Sequence, residues 1–407
     1  MNANPLLQFD ALPDFAAITP AHVSPAIDHL LHEADAALER AVGPDVAADY
    51  DALSAVLDVA TERLGRAWGT VSHLHSVADA PELRAAFNEN LPKVTAFHTK
   101  QGADERLFAK YKAVAASPSS AQLPGPRKKA LANALRDFVL SGAELQGASK
   151  ERFAAIQERS AELSQKFSEH VLDATDGFVH YASSEQLQGV PADVQQATRA
   201  AALAEGRDGH KLTLHQPVYQ PLMQYATDRV LRARLYKAYV TRASELGPAE
   251  QDNTPLMREL IALRQEAAQL LGHATYADVS LVPKMARTPA EVNTFLQDLA
   301  QRAKPFAERD MQALREFAAS DLGLPVVEAW DIAFVSEKLK EARYDFSDLD
   351  VKRYFTEPKV LAGLFDIVQT IFEVQITPDT APVWHDSVRF YRVERDGQLL
   401  SQFYLDA

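Results

Sequence analysis

The 407-residue sequence contains no cysteine. Disulfides, thiolate metal sites and cysteine nucleophiles are therefore excluded, and the chain suits a reducing compartment. A basic surplus is missing too. Lys and Arg number 42 against 56 Asp and Glu, giving a formal net charge of −14. Nucleic-acid binding needs a basic face to neutralise phosphates, so no nucleic-acid partner is expected. No stretch approaches the roughly 18 uncharged apolar residues that would span a bilayer, so no membrane partner is expected either. The opening residues MNANPLLQFD lack the basic segment and apolar run of a secretory signal. Together these absences predict a cytoplasmic protein.

Short catalytic motifs are also absent. His-Glu occurs once, at His32-Glu33, and the partner position for H-E-x-x-H is Ala36. There is no G-x-S-x-G elbow, no G-x-x-x-x-G-K-[ST] loop and no G-x-G-x-x-G after a strand.

What is present is the balance of a globular protein, 47% hydrophobic and 24% charged. The length suggests two or three domains. Apolar residues recur at three-and-four spacing over most of the chain, which predicts a mainly α fold. Thr19-Pro20 opens a first helix whose stripe is Val23, Ile27, Leu30, Leu31, Ala34, Leu38 and Ala41. Helical stretches are expected at about 48–77, 81–116, 127–141, 150–174, 217–246, 254–271, 331–343 and 358–372. A further long helix should follow the capping box Thr288-Pro289-Ala290-Glu291, with Val292, Phe295, Leu296, Leu299, Phe306, Leu314 and Phe317 on its apolar face. Residues 178–181 and 211–215 are β-like and predict a small ribbon. Asp396-Gly397 between 388–393 and 399–405 predicts a C-terminal β-hairpin. Two strands alone are marginal, so this hairpin is expected to be poorly supported, with an exposed edge.

Candidate chemistry is thin. His29, His32 and Glu33 share a helix face and could offer nitrogen and oxygen ligands, but in no motif order with a known mechanism. A solvated face is the simpler reading. His73 and His75 are two apart, so one should pack and the other should be exposed. His210 and His215 flank a β-like segment near Asp208 and read as turn and strand residues. Gly206-Arg207-Asp208-Gly209 reads as a tight loop without the helix start a phosphate cradle wants. Lys128-Lys129 and Arg232/Arg234 read as solvated basic clusters. Tyr219, Tyr225, Tyr236 and Tyr239 recur near helical spacing and could line a peptide groove, although core packing is the commoner fate. The residues themselves thus assign no catalytic, cofactor-binding or metal-ligating position.

Whole segments nevertheless resemble the thimet oligopeptidase family of zinc metallopeptidases, in that family's order. They include Asn4-Pro5-Leu6-Leu7, Ile18-Thr19-Pro20-Ala21-His22-Val23, Val71-Ser72-His73-Leu74-His75, Asn133-Ala134-Leu135-Arg136-Asp137-Phe138 and Val171-Leu172-Asp173-Ala174-Thr175. Leu235-Tyr236-Lys237-Ala238-Tyr239, Thr241-Arg242-Ala243-Ser244, Lys284-Met285-Ala286, Trp330-Asp331-Ile332-Ala333, Val383-Trp384-His385 and Phe403-Tyr404-Leu405-Asp406 continue the series.

The resemblance implies a helical oligopeptidase-type lobe with short β ribbons and a C-terminal β-hairpin. It implies an N-terminal helical domain over 1–176 and the first part of a catalytic domain over 177–407. It also implies a zinc-dependent hydrolase of short peptides. In such enzymes the H-E-x-x-H histidines and a later glutamate hold zinc, and the motif glutamate acts as general base. None of those positions exists in this sequence. The expectation is a chain that begins intact at Met1 and stops inside the catalytic domain. Its partner would be the missing C-terminal catalytic part, and alone it should neither bind zinc nor cleave peptides. The alternative is a non-catalytic helical peptide-binding or scaffold protein derived from a peptidase.

Overall fold

The computed structural model of the protein describes residues 4–406, so the chain start at Met1 and the final Ala407 lie outside the described residues. The fold is mainly α, as the periodicity predicts. In chain order the elements are α1 (Pro20–Val42), α2 (Tyr50–Val77), α3 (Pro81–Gly102), α4 (Glu105–Ala116), α5 (Gly125–Leu140), α6 (Gly147–Asp176), β1 (His180–Ala182), α7 (Ala192–Ala204) and β2 (His210–Leu212). They continue with α8 (Gln216–Tyr225), α9 (Arg229–Val240), α10 (Thr254–Leu270), α11 (Tyr276–Leu281), α12 (Pro289–Ser320), α13 (Ile332–Tyr344), α14 (Asp348–Lys352) and α15 (Glu357–Phe372). The last three elements are β3 (Gln375–Asp379), β4 (Arg389–Arg395) and β5 (Gln398–Leu405). The chain divides into two compact units. One comprises Met1–Glu162, Ala262–Arg287 and Leu364–Ala407; the other comprises Leu163–Ile261 and Thr288–Gly363.

In the first unit α1 is the central element. Thr19 takes the extended N-cap conformation, and His22 Nδ1 accepts its backbone N–H at 3.1 Å. Val23, Ile27, Leu30, Ala34 and Leu38 are all essentially inaccessible, and α1 packs against both α2 and α3. One core collects Ile27, Leu30, Leu64, Val71 and Phe87. A second collects Leu38, Leu57, Leu107, Phe108 and Phe138. The single helical stretch expected at 81–116 is two helices, because Asp104 accepts the N–H groups of Arg106 and Leu107 and starts α4 afresh.

The C-terminal strands of this unit correct an expectation. The hairpin is not left as two bare strands: β3, β4 and β5 form one antiparallel sheet. Asp396 and Gly397 both take positive φ, as the two-residue turn requires. Phe390 and Tyr391 are buried, and Phe365 of α15 sits 4.9 Å from Tyr391, ring centre to ring centre. The extra strand was hidden by Pro378, a residue that in strands is confined to edges and removes the strand signal. Leu399 and Leu400, at the start of β5 beside the turn, remain half exposed, and β5 is an edge of the sheet, so the expected exposed edge is present while the poor support is not.

In the second unit β1 and β2 pair antiparallel, His180 opposite Leu212. Gly209 has φ +92, and a Cβ there would lie 2.6 Å from the Ala182 carbonyl oxygen, so this turn into the ribbon requires glycine. Between the strands, α7 occupies a stretch to which periodicity assigns nothing; its run of alanines supplies helix propensity rather than an apolar stripe. The expected helix 217–246 is two, α8 and α9, with Asp228 capping the second through the Val230 and Leu231 N–H groups. Leu187, Leu212, Leu222, Leu231 and Leu235 form the main core. A smaller one joins Leu314 and Ala318 of α12 to Phe334 and Val335 of α13.

Candidate functional site

The His/Glu cluster on α1 is a solvated face. His29 Nε2 lies 3.4 Å from Glu33 Oε1, Arg63 approaches the same carboxylate at 3.8 Å, and all three side chains are more than a third exposed. His32 points to solvent. Among the described residues, no three His, Asp or Glu side chains converge on a common point.

His73 and His75 depart from the expected one-in, one-out arrangement, since both are packed. The ring of His75 stacks on Phe87 at 4.5 Å and its Nε2 lies 3.7 Å from Asp79. His73 enters an aromatic cluster of the first unit, 4.2 Å from Trp384 and 5.6 Å from Phe15. Tyr404 of β5 completes the cluster, 5.5 Å from Phe15 and 5.2 Å from Trp384. A two-residue step on a helix turns by a little over half a circle, and here both flanks of α2 have neighbours. This cluster ties the segment before β4 to the N-terminal helices, and its role is packing.

In the second unit His210 is buried on β2. Its Nδ1 lies 3.1 Å from both the Thr198 hydroxyl and the Gln195 carbonyl, and its Nε2 lies 3.2 Å from Ser184 Oγ. His215 precedes α8 and pairs with Asp176 at 3.2 Å. His210 thus stands in a strand and His215 at a helix start. His180 Nδ1 faces Arg234 Nη1 at 3.2 Å, a contact that requires a neutral imidazole as acceptor. Burial and then the Arg234 charge hold its pKa below the usual histidine value.

The basic pair Arg232/Arg234 is corrected in one half. Arg234 is exposed, but Arg232 is 1% exposed. Its Nη2 donates to Asp331 Oδ1 at 2.8 Å, its Nη1 donates to the Ala226 carbonyl at 2.6 Å, and Phe334 lies 4.1 Å beneath its guanidinium. Arg229 grips the other oxygen of Asp331 at 2.7 Å. Burial would raise the Asp331 pKa, but hydrogen bonds from Arg229 and Arg232 outweigh it and hold the carboxyl below its usual range. A buried cation looks the same in sequence as a solvated one until its carboxylate partner is found, and this partner is about a hundred residues away.

The four tyrosines do not form one groove. Tyr225 donates to Glu337, and Tyr236 meets Trp330 edge-on. Tyr219 and Tyr239 do pair, stacked at 4.2 Å, with Gln216 donating to the Tyr239 hydroxyl at 2.7 Å. Burial, then the neighbouring tyrosines, push Tyr219 up to about 12. Arg242 lies 3.8 Å over Tyr239 and donates through Nη1 to Thr175 Oγ1 at 2.9 Å. It lines a cavity of about 340 Å³ with Phe178, Leu214, Ala238 and Pro248. Arg242 lies just past the end of α9, so its contact with Tyr239 is made from the turn that follows the helix. The first unit has a cavity of about 410 Å³, but its cations Lys100, Arg106 and Lys150 are each already paired with a carboxylate. Such cavities can hold a ligand; neither carries a nucleophile with an adjacent base.

Comparison with known proteins gives what the geometry does not. Peptidase family M3 is matched over residues 222–407, and the Neurolysin/Thimet oligopeptidase N-terminal domain over residues 27–150. The chain is 41% identical to oligopeptidase A of Salmonella typhimurium over 408 residues and 40% identical to that of Escherichia coli over 408 residues; each match covers 99% of this chain and 60% of the relative. It is 34% identical to a probable cytosolic oligopeptidase A of Arabidopsis thaliana over 423 residues, covering 100% of this chain and 59% of the relative. The chain belongs to the thimet oligopeptidase family. It spans about three-fifths of the length of these relatives.

Thimet oligopeptidases are zinc enzymes by family resemblance. Catalytic zinc takes three protein ligands and an open position. The sequence has no H-E-x-x-H, and among the described residues no third His, Asp or Glu joins the His29–Glu33 pair.

Proposed function

We propose that this chain supplies the helical N-terminal domain, residues 1–176, and the first part of the catalytic domain, residues 177–407, of a cytoplasmic zinc-dependent oligopeptidase. The whole enzyme hydrolyses internal bonds of short peptides, and its zinc ligands lie in polypeptide this chain does not contain. The observation that carries the reading is the match of nearly the full chain, at 41% identity, to oligopeptidase A. In this reading the chain alone binds no stoichiometric zinc and turns over no peptide, because the donor set for the metal is missing.

The test is metal analysis of the purified chain after dialysis against dilute zinc, beside a fluorogenic short-peptide assay. The expected result is sub-stoichiometric zinc and no chelator-sensitive turnover. One tightly held zinc per chain with turnover abolished by a chelator would overturn the reading. A second reading, a peptide-binding protein without catalysis, is favoured by the Arg242 cavity. Its wall is mostly apolar, with Arg242 and Asp173 as its charged groups, which suits a short peptide with an apolar body and one charged end. Retention of short peptides by the chain, lost on Arg242→Met, would support that reading.

A further inference from the structure

Helix α12 is covered along only one part of its length. Near its C-terminus Leu314 and Ala318 are buried against Phe334 and Val335 of α13. From residue 293 to residue 310 every position is exposed. Yet this stretch is patterned for burial. Phe295 is 61% exposed, Leu296 53%, Leu299 46% and Phe306 61%. Leu299 and Phe306 are two turns apart and continue the line of Val292 and Ala313, so the bare stripe and the covered end form one face. Asp298 pairs with Arg302 on one flank of the stripe, and Lys304 pairs with Glu308 on the side turned away from it.

A helix this bare does not hold itself. Helical stability in proteins comes mostly from packing of the apolar face, and isolated segments are marginal in water. Pro305 sits inside the bare stretch and removes one of its backbone hydrogen bonds. Contiguous exposed aromatic and aliphatic side chains of this kind mark an interaction surface. Residues 293–310 carry three cations, Arg302, Lys304 and Arg309, and three anions, Asp298, Glu308 and Asp310, so no net charge selects a charged partner; Arg309 lies 4.6 Å over the Phe306 ring.

The relatives indicate the occupant. Oligopeptidase A of Escherichia coli matches this chain over 60% of its own length and has further polypeptide outside that match. We propose that the stripe Phe295, Leu296, Leu299 and Phe306 is the docking surface for polypeptide equivalent to that unmatched part of oligopeptidase A, packed as an amphipathic helix with its apolar side along α12. The inference rests on the reading that this chain is one part of a longer oligopeptidase. Its test reads binding, whereas the test of that reading reads zinc and turnover, so the two fail separately.

The experiment co-expresses the affinity-tagged 407-residue chain with the part of Escherichia coli oligopeptidase A that lies beyond the match, and measures how much is retained. The comparison is the triple variant Phe295→Asp, Leu299→Asp, Phe306→Asp, checked for unchanged far-ultraviolet circular dichroism and melting. Leu299→Asp alone replaces it if the triple variant loses helicity. The expected result is retention by the parent chain and a loss of roughly tenfold in the variant, as for disruption of a central apolar contact. Equal retention by the variant would overturn the proposal, as would no retention by the parent. So would a stable dimer of the parent alone that the variant dissolves, since a second copy would then be the occupant.

Discussion

In the first unit the ion pairs Lys93–Asp28, Lys100–Asp35 and Arg106–Glu39 stand on the helix rims, with every partner at least a third exposed. In the second unit Arg232 and Asp331 are 1% and 0% exposed, and Arg229 closes the same carboxylate from outside. The rim pairs follow helix geometry. Asp28 and Asp35 are two turns apart on α1, and so are Lys93 and Lys100 on α3, which means the two helices run side by side in the same direction. These pairs report the register of a core already fixed by Ile27, Leu30 and Val94. The buried pair is different in kind. It sits inside the packing and joins α9 to the turn before α13, so the core of the second unit is wired by charge as well as filled by apolar groups.

The largest effect should come from breaking that wiring. Asp331→Asn keeps the shape but leaves Arg232 buried without its counter-charge. Denaturant unfolding should show a loss of about 3–5 kcal/mol, the usual range for stranding one partner of a buried ion pair. Replacing both partners by apolar residues of similar volume, Arg232→Met with Asp331→Leu, should recover much of it. A loss below about 1 kcal/mol for Asp331→Asn would place the pair with the exposed ones and erase the contrast between the units.

The contrast also explains which parts could be read from sequence. Helices of the first unit announce themselves because their charges face water and their apolar residues do not. The stripe from Val23 to Ala41 and the Thr19-Pro20 start are both where periodicity puts them. In the second unit Arg232 reads as solvent-facing because nothing near it in sequence reveals Asp331. Helix α7 goes unassigned because alanine gives propensity without a stripe. Pro378 conceals β3 from pattern reading, and with it the support for the hairpin. Arg242 and the Tyr219–Tyr239 pair were visible only as residue types, since stacking and a shared cavity are properties of the folded backbone.

A smaller effect, shared by both units, sharpens the comparison. His98 in the first unit has its pKa lowered chiefly by burial, and His180 in the second by burial and then by Arg234. The unfolded chain takes up a proton on each near pH 6.5, whereas the folded chain resists it. Stability should therefore be fully present above pH 6.5 and fall as the pH drops from 7 to 5. The Asp331 carboxyl is held below its usual range and stays ionised throughout that window, so its own contribution is lost only in stronger acid. Thermal melting across pH 5 to 7 should show the decline. His180→Gln should flatten the part belonging to the second unit and leave the His98 part. An unchanged slope would mean that His180 is not held neutral by its neighbours.

The smallest effect is expected at the rim. Lys100 and Asp35 are 51% and 47% exposed and only 2.7 Å apart. Their attraction acts through water, two long side chains must be ordered to make it, and salt screens it. A double-mutant cycle with Lys100→Ala and Asp35→Ala should return a coupling of about 0.2–1 kcal/mol that shrinks toward zero in about 1 M salt. The geometry alone would suggest otherwise, because this contact is slightly shorter than the 2.8 Å of Arg232 to Asp331. Distance is thus held nearly constant between the two cases while burial changes from about half exposed to none. If the cycle gave a salt-independent coupling above about 2 kcal/mol, distance rather than burial would decide what these pairs contribute. The first unit would then also be wired by its charges, and Lys93–Asp28, at 2.8 Å and likewise exposed, should behave in the same way.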